Sequence, residues 1–457
     1  MRVHFVGIGG IGLSAIAKVF LEEGHRVSGS DLKLSSITDA LARTGATIHE
    51  GHRAENVGEA QLVIVSSAVP PDNPEIAEAR RRGIPVVKRD WVLERMTRGR
   101  TTIAVAGSHG KTTIAAMLAL ILTEAGLDPT FIVGGILQNL GTNARAGRGE
   151  PFVIEADEYD RTFLGLRPRI AVVTNIEMDH PDCYPRLDDM VEAFREFLGL
   201  VPEDGCVVGC GDEARVRGVL GELVGAHRVH VITYGLGEGA DWRAVGIRPN
   251  ELGGHEFVAL HDGRGVGEFG LGIPGVHNVQ NALAALAVAH RMGLNLARVG
   301  ETLRGFRGVQ RRFEVKGEAG GVTVVDDYAH HPTQIRTTLA AARERYPGRA
   351  LWVVFQPHTY SRTRALLDEF AASFADADHV VVTGIYAARE FDDLGVSAAD
   401  IVARMAHPDV RHIADLRDAA GYVIHRLQPG DVLLTLGAGD VWKVGGWILT
   451  ILGNREV

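Results

Sequence analysis

The sequence predicts an α/β chain of three domains, and three observations predict it. Short apolar runs rich in Val and Ile alternate with helical stretches from one end to the other, the signature of βαβ units. Two strand-to-helix junctions are glycine-rich, Gly7-Ile8-Gly9-Gly10-Ile11-Gly12 and Gly107-Ser108-His109-Gly110-Lys111-Thr112-Thr113. Such turns place a phosphate on a helix N-terminus. The length, 457 residues, exceeds one hydrophobic core and suits roughly three. The expected division is a Rossmann-like domain over 1–98, a central P-loop ATPase-like domain with a mostly parallel sheet over 99–308, and a second Rossmann-like domain over 309–457.

In the first domain, Val3-His4-Phe5-Val6 reads as a strand, the glycine turn follows, and an amphipathic helix runs through Leu21. A second strand ends at Asp31, about twenty residues beyond the glycines, as in dinucleotide-binding units. That spacing invites an NAD enzyme. The glycines, however, report a diphosphate on a helix N-terminus and not which nucleotide carries it. Gly9, Gly10, Gly12 and Asp31 are therefore the candidate residues for a nucleotide-bearing substrate. Further strands are expected within 60–67 and 84–88, and the polar run Thr97 to Arg100 is the first joint.

The second domain opens on a strand that breaks at Gly107 and passes into an apolar helix after Lys111. Backbone N–H groups of such a turn close around phosphate oxygens, the lysine reaches the terminal phosphates, and a threonine hydroxyl ligates Mg²⁺. Val105 stands where the first glycine of the eight-residue P-loop pattern would be, so only the shorter form is present. Two later strands end in acids and a histidine, Glu155-Ala156-Asp157-Glu158-Tyr159-Asp160 and Thr174-Asn175-Ile176-Glu177-Met178-Asp179-His180. An acid at a neighbouring strand's carboxyl end is where a phosphate-bound Mg²⁺ is met, which makes Glu155 the best candidate ligand, with His180 able to hold or orient a metal-bound group and the hydroxyl of Thr112 or Thr113 beside it. For Asp160, at the far end of the first cluster, a solvated turn is the expected reading. A helix from Leu187 to Leu198, a glycine-rich patch of short antiparallel strands over 235–272, and a helix starting near Asn278 complete the domain. Asn278 and Asn281, one turn apart, suit either a base edge or a helix cap.

Arg311-Arg312 opens the third domain, and guanidinium forks suit phosphate. Its strands end in Asp326-Asp327-Tyr328-Ala329-His330-His331-Pro332 and in Pro357-His358-Thr359-Tyr360-Ser361-Arg362-Thr363, a polar shelf for a carboxylate or phosphate.

Composition excludes several classes. With 46% hydrophobic and 23% charged residues the chain is globular, and a net charge of -9 with no basic stripe argues against nucleic acid as partner. No apolar run approaches the ~18 residues of a membrane span, so the cytoplasm is the expected location. Three cysteines make no disulfide framework. Cys206 and Cys210, with His227 and His230 downstream, have a zinc-like spacing, but CVVGC alternates like a strand, so buried thiols are expected instead.

The ordered motifs GIGGIG, AGSHGKTT, EADE, TNIEMDH, HNVQNALAA, RRFE, DDYAHHP and PHTYSRT span nearly the whole chain, and in this order they resemble the Mur ligase family. The resemblance implies an ATP- and Mg²⁺-dependent enzyme that phosphorylates the lactyl carboxylate of UDP-N-acetylmuramate and lets an amine, here L-alanine, attack the acyl phosphate. It implies catalytic roles for Lys111, Glu155, His180, His330 and Arg362. Gly107, Ser108, His109, Gly110, Lys111, Thr112, Thr113, His277, Asn278, Asn281, Arg312 and Asp327 would hold ATP. Gly9, Gly10, Gly12 and Asp31 belong to the nucleotide sugar, and Tyr328 and His358 to the alanine side. It also implies a third domain that closes over the ATP site, in a monomer or weak homodimer. Ser108 replaces the family's usual Thr, Glu177-Met178 stands where Asp-Ala is common, and Tyr159 leans toward the ligase that attaches a tripeptide to the same nucleotide sugar. The alternatives from other classes are an NAD-dependent oxidoreductase and a P-loop switch ATPase.

Overall fold

The structure, a computed structural model, describes residues 1–225, 229–388, 390–392 and 394–454. Its strands form three sheets. The first holds β1 (Arg2–Val6), β2 (Arg26–Asp31), β3 (Thr47–Glu50), β4 (Leu62–Val65) and β5 (Val86–Lys88). All are parallel, in the order β3-β2-β1-β4-β5. The glycine turn leaves β1 at its centre, where the order reverses, which is where an open α/β sheet binds its ligand.

The second sheet holds β6 (Thr101–Ala106), β7 (Thr130–Leu137), β8 (Thr142–Arg145), β9 (Pro151–Glu155), β10 (Ile170–Val173), β11 (Cys206–Cys210), β12 (His230–Gly235), β13 (Trp242–Pro249), β14 (His255–His261) and β15 (Arg264–Gly270). Their order is β15-β14-β13-β12-β11-β10-β6-β9-β7-β8. The middle is parallel, and antiparallel pairs close both ends. β6, carrying the phosphate loop, lies between β9 and β10. The two acid-rich strand ends are therefore its immediate neighbours. The helix Lys111–Glu124 is apolar on all sides and almost wholly buried, as a helix with no solvent face must be. It packs against the helix Val276–Arg291 in one core.

The third sheet holds β16 (Glu314–Ala319), β17 (Val322–Asp327), β18 (Leu351–Phe355), β19 (His379–Val382), β20 (Val410–His412) and β21 (Val432–Leu436), in the order β16-β17-β21-β18-β19-β20. Only the β16–β17 pair is antiparallel. Continuous apolar runs in β18 and β21 are buried on both faces, as parallel strands between helices require.

Three sequence expectations are refined here. The hairpin β7–β8 was not foreseen; its Gly134-Gly135 breaks the apolar alternation because Glu155 and Val309 press against those positions. Cys206 and Cys210 lie buried in β11, and burial pushes the Cys206 thiol up to about 11; His227 lies outside the described residues. Among the described residues no helix is long and apolar enough to cross a membrane.

Candidate active site

The phosphate loop is built against the end of β10. Ser108 N donates to Asn175 O (3.0 Å), His109 N to Asn175 Oδ1 (2.8 Å), and Thr174 Oγ1 to His109 O (2.5 Å). Gly107 and Gly110 have positive φ, 133° and 85°. A Cβ on Gly107 would lie 1.9 Å from Thr174 Oγ1, and one on Gly110 2.8 Å from Asn281 Oδ1. Glycine is required at both places by the tight closure of the turn.

Beside the loop is a cavity of about 250 Å³ lined by residues of two domains. The loop supplies His109, Gly110, Thr112 and Thr113; the helix Val276–Arg291 supplies His277, Asn278 and Asn281; the third domain supplies Arg312 and Asp327. Nine residues expected around ATP, distant in sequence, thus line one cavity. The helix begins before Asn278, which donates Nδ2–H to Pro274 O (2.7 Å) and accepts at Oδ1 from Asn281 Nδ2 (2.9 Å). Asn278 is therefore no cap, and the two amides form a buried polar strip. Burial lowers the His277 imidazole to about 4, leaving it neutral. Arg312 Nη2 donates toward Thr112 Oγ1 (3.4 Å), whereas Arg311 is committed to Asp326 (3.0 Å) and to Gly437 O (2.7 Å). Of the arginine pair only Arg312 faces the cavity; Arg311 braces the third domain. Asp327 accepts from Phe313 N (2.6 Å) and Ala329 N (2.7 Å), so one edge of its carboxylate shapes the strand end.

Gly107, Ser108 and Lys111 lie behind this cavity. Lys111 Nζ donates to Gly107 O and lies 2.9 Å from a Glu158 oxygen. Burial would lower the ammonium, but Glu158 and Glu155 outweigh it and hold it above its ordinary value. Glu158 is about 1% exposed, and Asp157 and Glu158 are paired with Arg89 and Lys111, so these two acids, given no role from the sequence, belong to the site. Burial of a carboxylate requires a cation, and Lys111 is that cation. On the far side of Glu158 sits His180, its Nε2 3.4 Å from Oε1 and 3.7 Å from Asp179 Oδ2. Burial lowers the imidazole, and Asp179 and Glu158 override this and raise it.

Glu155 stands apart from His180, with Thr112 Oγ1 donating to its Oε1 (3.1 Å) and Gly134 N to its Oε2 (2.6 Å). Burial raises the carboxyl, with Lys111 and Arg312 pulling the other way. A hydroxyl and a buried carboxylate beside a phosphate loop are the hard oxygen donors that Mg²⁺ takes, so Thr112 and Glu155 fit this ion. His180, a nitrogen donor among carboxylates, fits less specifically.

The shelf of the third domain closes over this cluster. Arg362 donates Nε–H and Nη2–H to Asp179 Oδ1 (2.9 and 2.7 Å) and Nη1–H to His358 Nδ1 (3.1 Å). The His330 and His358 rings are 5.9 Å apart, and Tyr328 lies 5.2 Å from His330. Burial, then the Arg362 charge, holds His330 well below the usual imidazole value.

In the first domain Asp31 Oδ2 accepts from Gly9 N (2.8 Å). Asp31 braces the glycine turn itself, and a Cβ on Gly9 would meet that oxygen at 2.8 Å. Gly10 starts the helix Ile11–Glu22 without a side-chain cap. A Cβ on Gly12 would lie 2.3 Å from Arg89 Nη1. Arg89 Nη2 donates to Asp157 Oδ2 (2.8 Å) and Thr162 Oγ1 (3.0 Å). Arg89, Asp157 and Glu158 were missed by sequence reading. Arg89 thus connects the glycine turn of the first domain to the acid cluster beside Lys111.

Two glycine turns with phosphate-binding geometry, linked through an acid cluster and covered by a third-domain shelf that brings in Arg312 and Arg362, define a nucleotide-dependent enzyme that joins anionic substrates. Residues 2–101 match the Mur ligase family catalytic domain, 105–289 the Mur ligase middle domain, and 311–439 the Mur ligase glutamate ligase domain. The chain belongs to the Mur ligase family. It is 48% identical to UDP-N-acetylmuramate–L-alanine ligase of Geobacter sp. (strain M21), over 98% of this chain and 97% of the relative. Its fold is similar to the crystal structure of UDP-N-acetylmuramate-alanine ligase MurC from Thermotoga maritima (TM-score 0.85, 30% identity, 100% of both chains). It is also similar to a murein peptide ligase, mpl, from Psychrobacter arcticus 273-4 (TM-score 0.77, 26% identity, 99% of both chains).

Proposed function

We propose that this chain joins L-alanine to UDP-N-acetylmuramate at the expense of ATP, through an acyl phosphate, and so supplies peptidoglycan precursor in the cytoplasm as a monomer or weak homodimer. The division of labour is nucleotide sugar on 1–98, ATP on 99–308 and amino acid on 309–457. The observation that carries the reading is Lys111, held between Gly107 O and Glu158 next to a cavity whose opposite wall is Arg312 and Asp327 of another domain. Full-length identity of 48% to an L-alanine ligase, against 26% to a murein peptide ligase, favours alanine over a peptide despite Tyr159.

A carboxylate is a poor electrophile at neutral pH, and phosphorylation gives it a leaving group, so the protein's work is to position anions and offset their charge. Lys111 carries its proton throughout and faces the phosphoryl group in transit, its charge released from Glu158 as phosphate approaches. Thr112 and Glu155, with His180, would hold Mg²⁺, and the ion would supply positive charge against the repulsion between ATP and the carboxylate. Arg312 adds a second cation and the Asn278–Asn281 strip meets the base. Gly9, Gly10 and Gly12 offer the first helix's N-terminus to the diphosphate. Tyr328, His330 and His358 face the amino acid, and Arg362, held on Asp179 and His358, positions that shelf. Neutral His330 is positioned to take a proton from the alanine ammonium.

Phosphate release from ATP tests the reading directly. It requires UDP-N-acetylmuramate and L-alanine together, and a tripeptide does not replace alanine. Equal turnover with the tripeptide would move the chain to the peptide-adding class, and oxidation of a nicotinamide cofactor would remove it from the ligases.

A further inference from the structure

We propose that Glu177 is a positioning residue through which the third domain docks on the phosphate loop, and that this docking keeps water from the acyl phosphate. The inference rests on the ligase reading above. Glu177 lies in the strand-end motif where the family resemblance is imperfect, and no step of the reaction uses it.

Its backbone belongs to the loop: Glu177 N donates to Ser108 Oγ (2.9 Å). Its side chain leaves the central domain. Oε2 accepts from Thr333 Oγ1 (2.7 Å) in the first turn of the helix Pro332–Arg345, and lies 3.2 Å from His109 Nε2. From the other side Gln334 Nε2 donates to His109 Nδ1 (2.9 Å). One carboxylate oxygen thus ties a phosphate-loop histidine to a helix of another domain, and Thr333 and Gln334 also line the nucleotide cavity. Docking and completion of the cavity are the same event.

His109, Glu177 and His331 also have the spacing of metal ligands. Yet all four ring nitrogens are engaged: His331 Nε2 donates to Met178 O (3.2 Å) and its Nδ1 accepts from Thr333 N (3.3 Å). A satisfied hydrogen-bond network has nothing to gain from an ion. Burial raises the Glu177 carboxyl, but the bonds from His109 and Thr333 prevail and bring it to about 2, so the acceptor is anionic and its bonds are charge-assisted.

The chemistry makes docking measurable. The γ-phosphoryl passes to a carboxylate oxygen and ADP leaves. The free amine, having lost a proton, attacks the acyl carbon; the bond from that carbon to the phosphate oxygen breaks, and phosphate departs with amide formed. Attack by water instead returns the carboxylate and releases phosphate with no amide. A closed site excludes that water.

The test measures phosphate released and amide formed by the full chain with ATP, UDP-N-acetylmuramate and L-alanine. In Glu177→Ala and Thr333→Val the ratio of phosphate to amide rises from about one to about two or more, and KM for ATP rises several-fold, roughly, because a docked lid both commits substrate and excludes water. Thr333→Val leaves the loop's own bonds intact, and because Thr333 also lines the cavity, its readout of docking is the phosphate-to-amide ratio and not KM. Variants that lose turnover with the ratio still at one would overturn the inference. A wild-type protein that releases no phosphate with both substrates present would instead overturn the ligase reading.

Discussion

Arg362 of the third domain grips Asp179 of the central domain with two nitrogens on one oxygen, at 2.9 and 2.7 Å, and each side chain is only about 5% exposed. Asp179 is held well below the usual carboxylate range: burial opposes this, and the Arg362 charge decides it. Removing one partner of a buried pair leaves the other uncompensated, at about 3–5 kcal/mol. Asp179→Ala and Arg362→Ala each lower kcat about 10²-fold through misplacement of the shelf. The double variant Asp179→Leu/Arg362→Met regains stability in thermal melts but not turnover. Recovery of turnover there would show the pair to be structural only.

Lys111→Ala abolishes amide formation, by about 10³-fold or more in rate, as for other preorganised charges at a transition state. The circular dichroism spectrum stays near wild type because no core is vacated, while the melting temperature falls because Glu158 loses its cation. Retained turnover would take the phosphoryl-transfer centre away from this loop.

Glu155→Gln and Thr112→Val raise the Mg²⁺ concentration needed for half-maximal rate by about tenfold or more, since each removes one of the oxygen donors proposed for the ion. Chelation with EDTA stops the wild-type reaction, and excess Mg²⁺ restores it. A magnesium titration unchanged in both variants would exclude these two ligands.

Gly12→Ala sets a methyl group 2.3 Å from Arg89 Nη1 and pushes the guanidinium off the first helix. KM for UDP-N-acetylmuramate rises about tenfold, with KM for ATP unchanged. An equal rise in both constants would place the effect in general misfolding of the first domain.

Glu75 gives a pH dependence of stability. It is fully buried, receiving Ser30 Oγ–H (2.6 Å) and Asn56 Nδ2–H (2.6 Å), with His4 at 3.7 Å. Burial raises its carboxyl, but His4, Ser30 and Asn56 together bring it down to about 2 from 4.5. A depressed folded value means that the unfolded chain binds the extra proton, so this stabilisation, about 3 kcal/mol, is complete above pH 4.5 and is lost as pH falls toward 2. Glu75→Gln flattens that part of the urea-stability profile, and an unchanged slope would contradict the assignment.

Both phosphate turns and the strand-end motifs were legible in the sequence because their chemistry is local: glycine, lysine and hydroxyl residues act within one turn. The meeting of His277, Asn278, Asn281, Arg312 and Asp327 around one cavity was legible only through resemblance. Contacts such as Lys111–Glu158 and Arg362–Asp179 join residues 47 and 183 positions apart, and no periodicity encodes them. Asp157 and Glu158 were not singled out in the sequence because their cations, Arg89 and Lys111, come from elsewhere. Arg311 and Arg312 are adjacent and chemically identical, and only the geometry of the β16–β17 corner separates the brace from the arginine that faces the cavity.

The most direct measurement follows the oxygen that the acyl phosphate must carry away. UDP-N-acetylmuramate labelled with ¹⁸O in its lactyl carboxylate is turned over with ATP and L-alanine, and the released phosphate is analysed by mass. One labelled oxygen per phosphate is the expected result, because the bond to the acyl carbon breaks on the carbon side. Unlabelled phosphate, with amide formed, would mean that the carboxylate is never phosphorylated and that the loop at Gly107 to Thr113 serves another reaction.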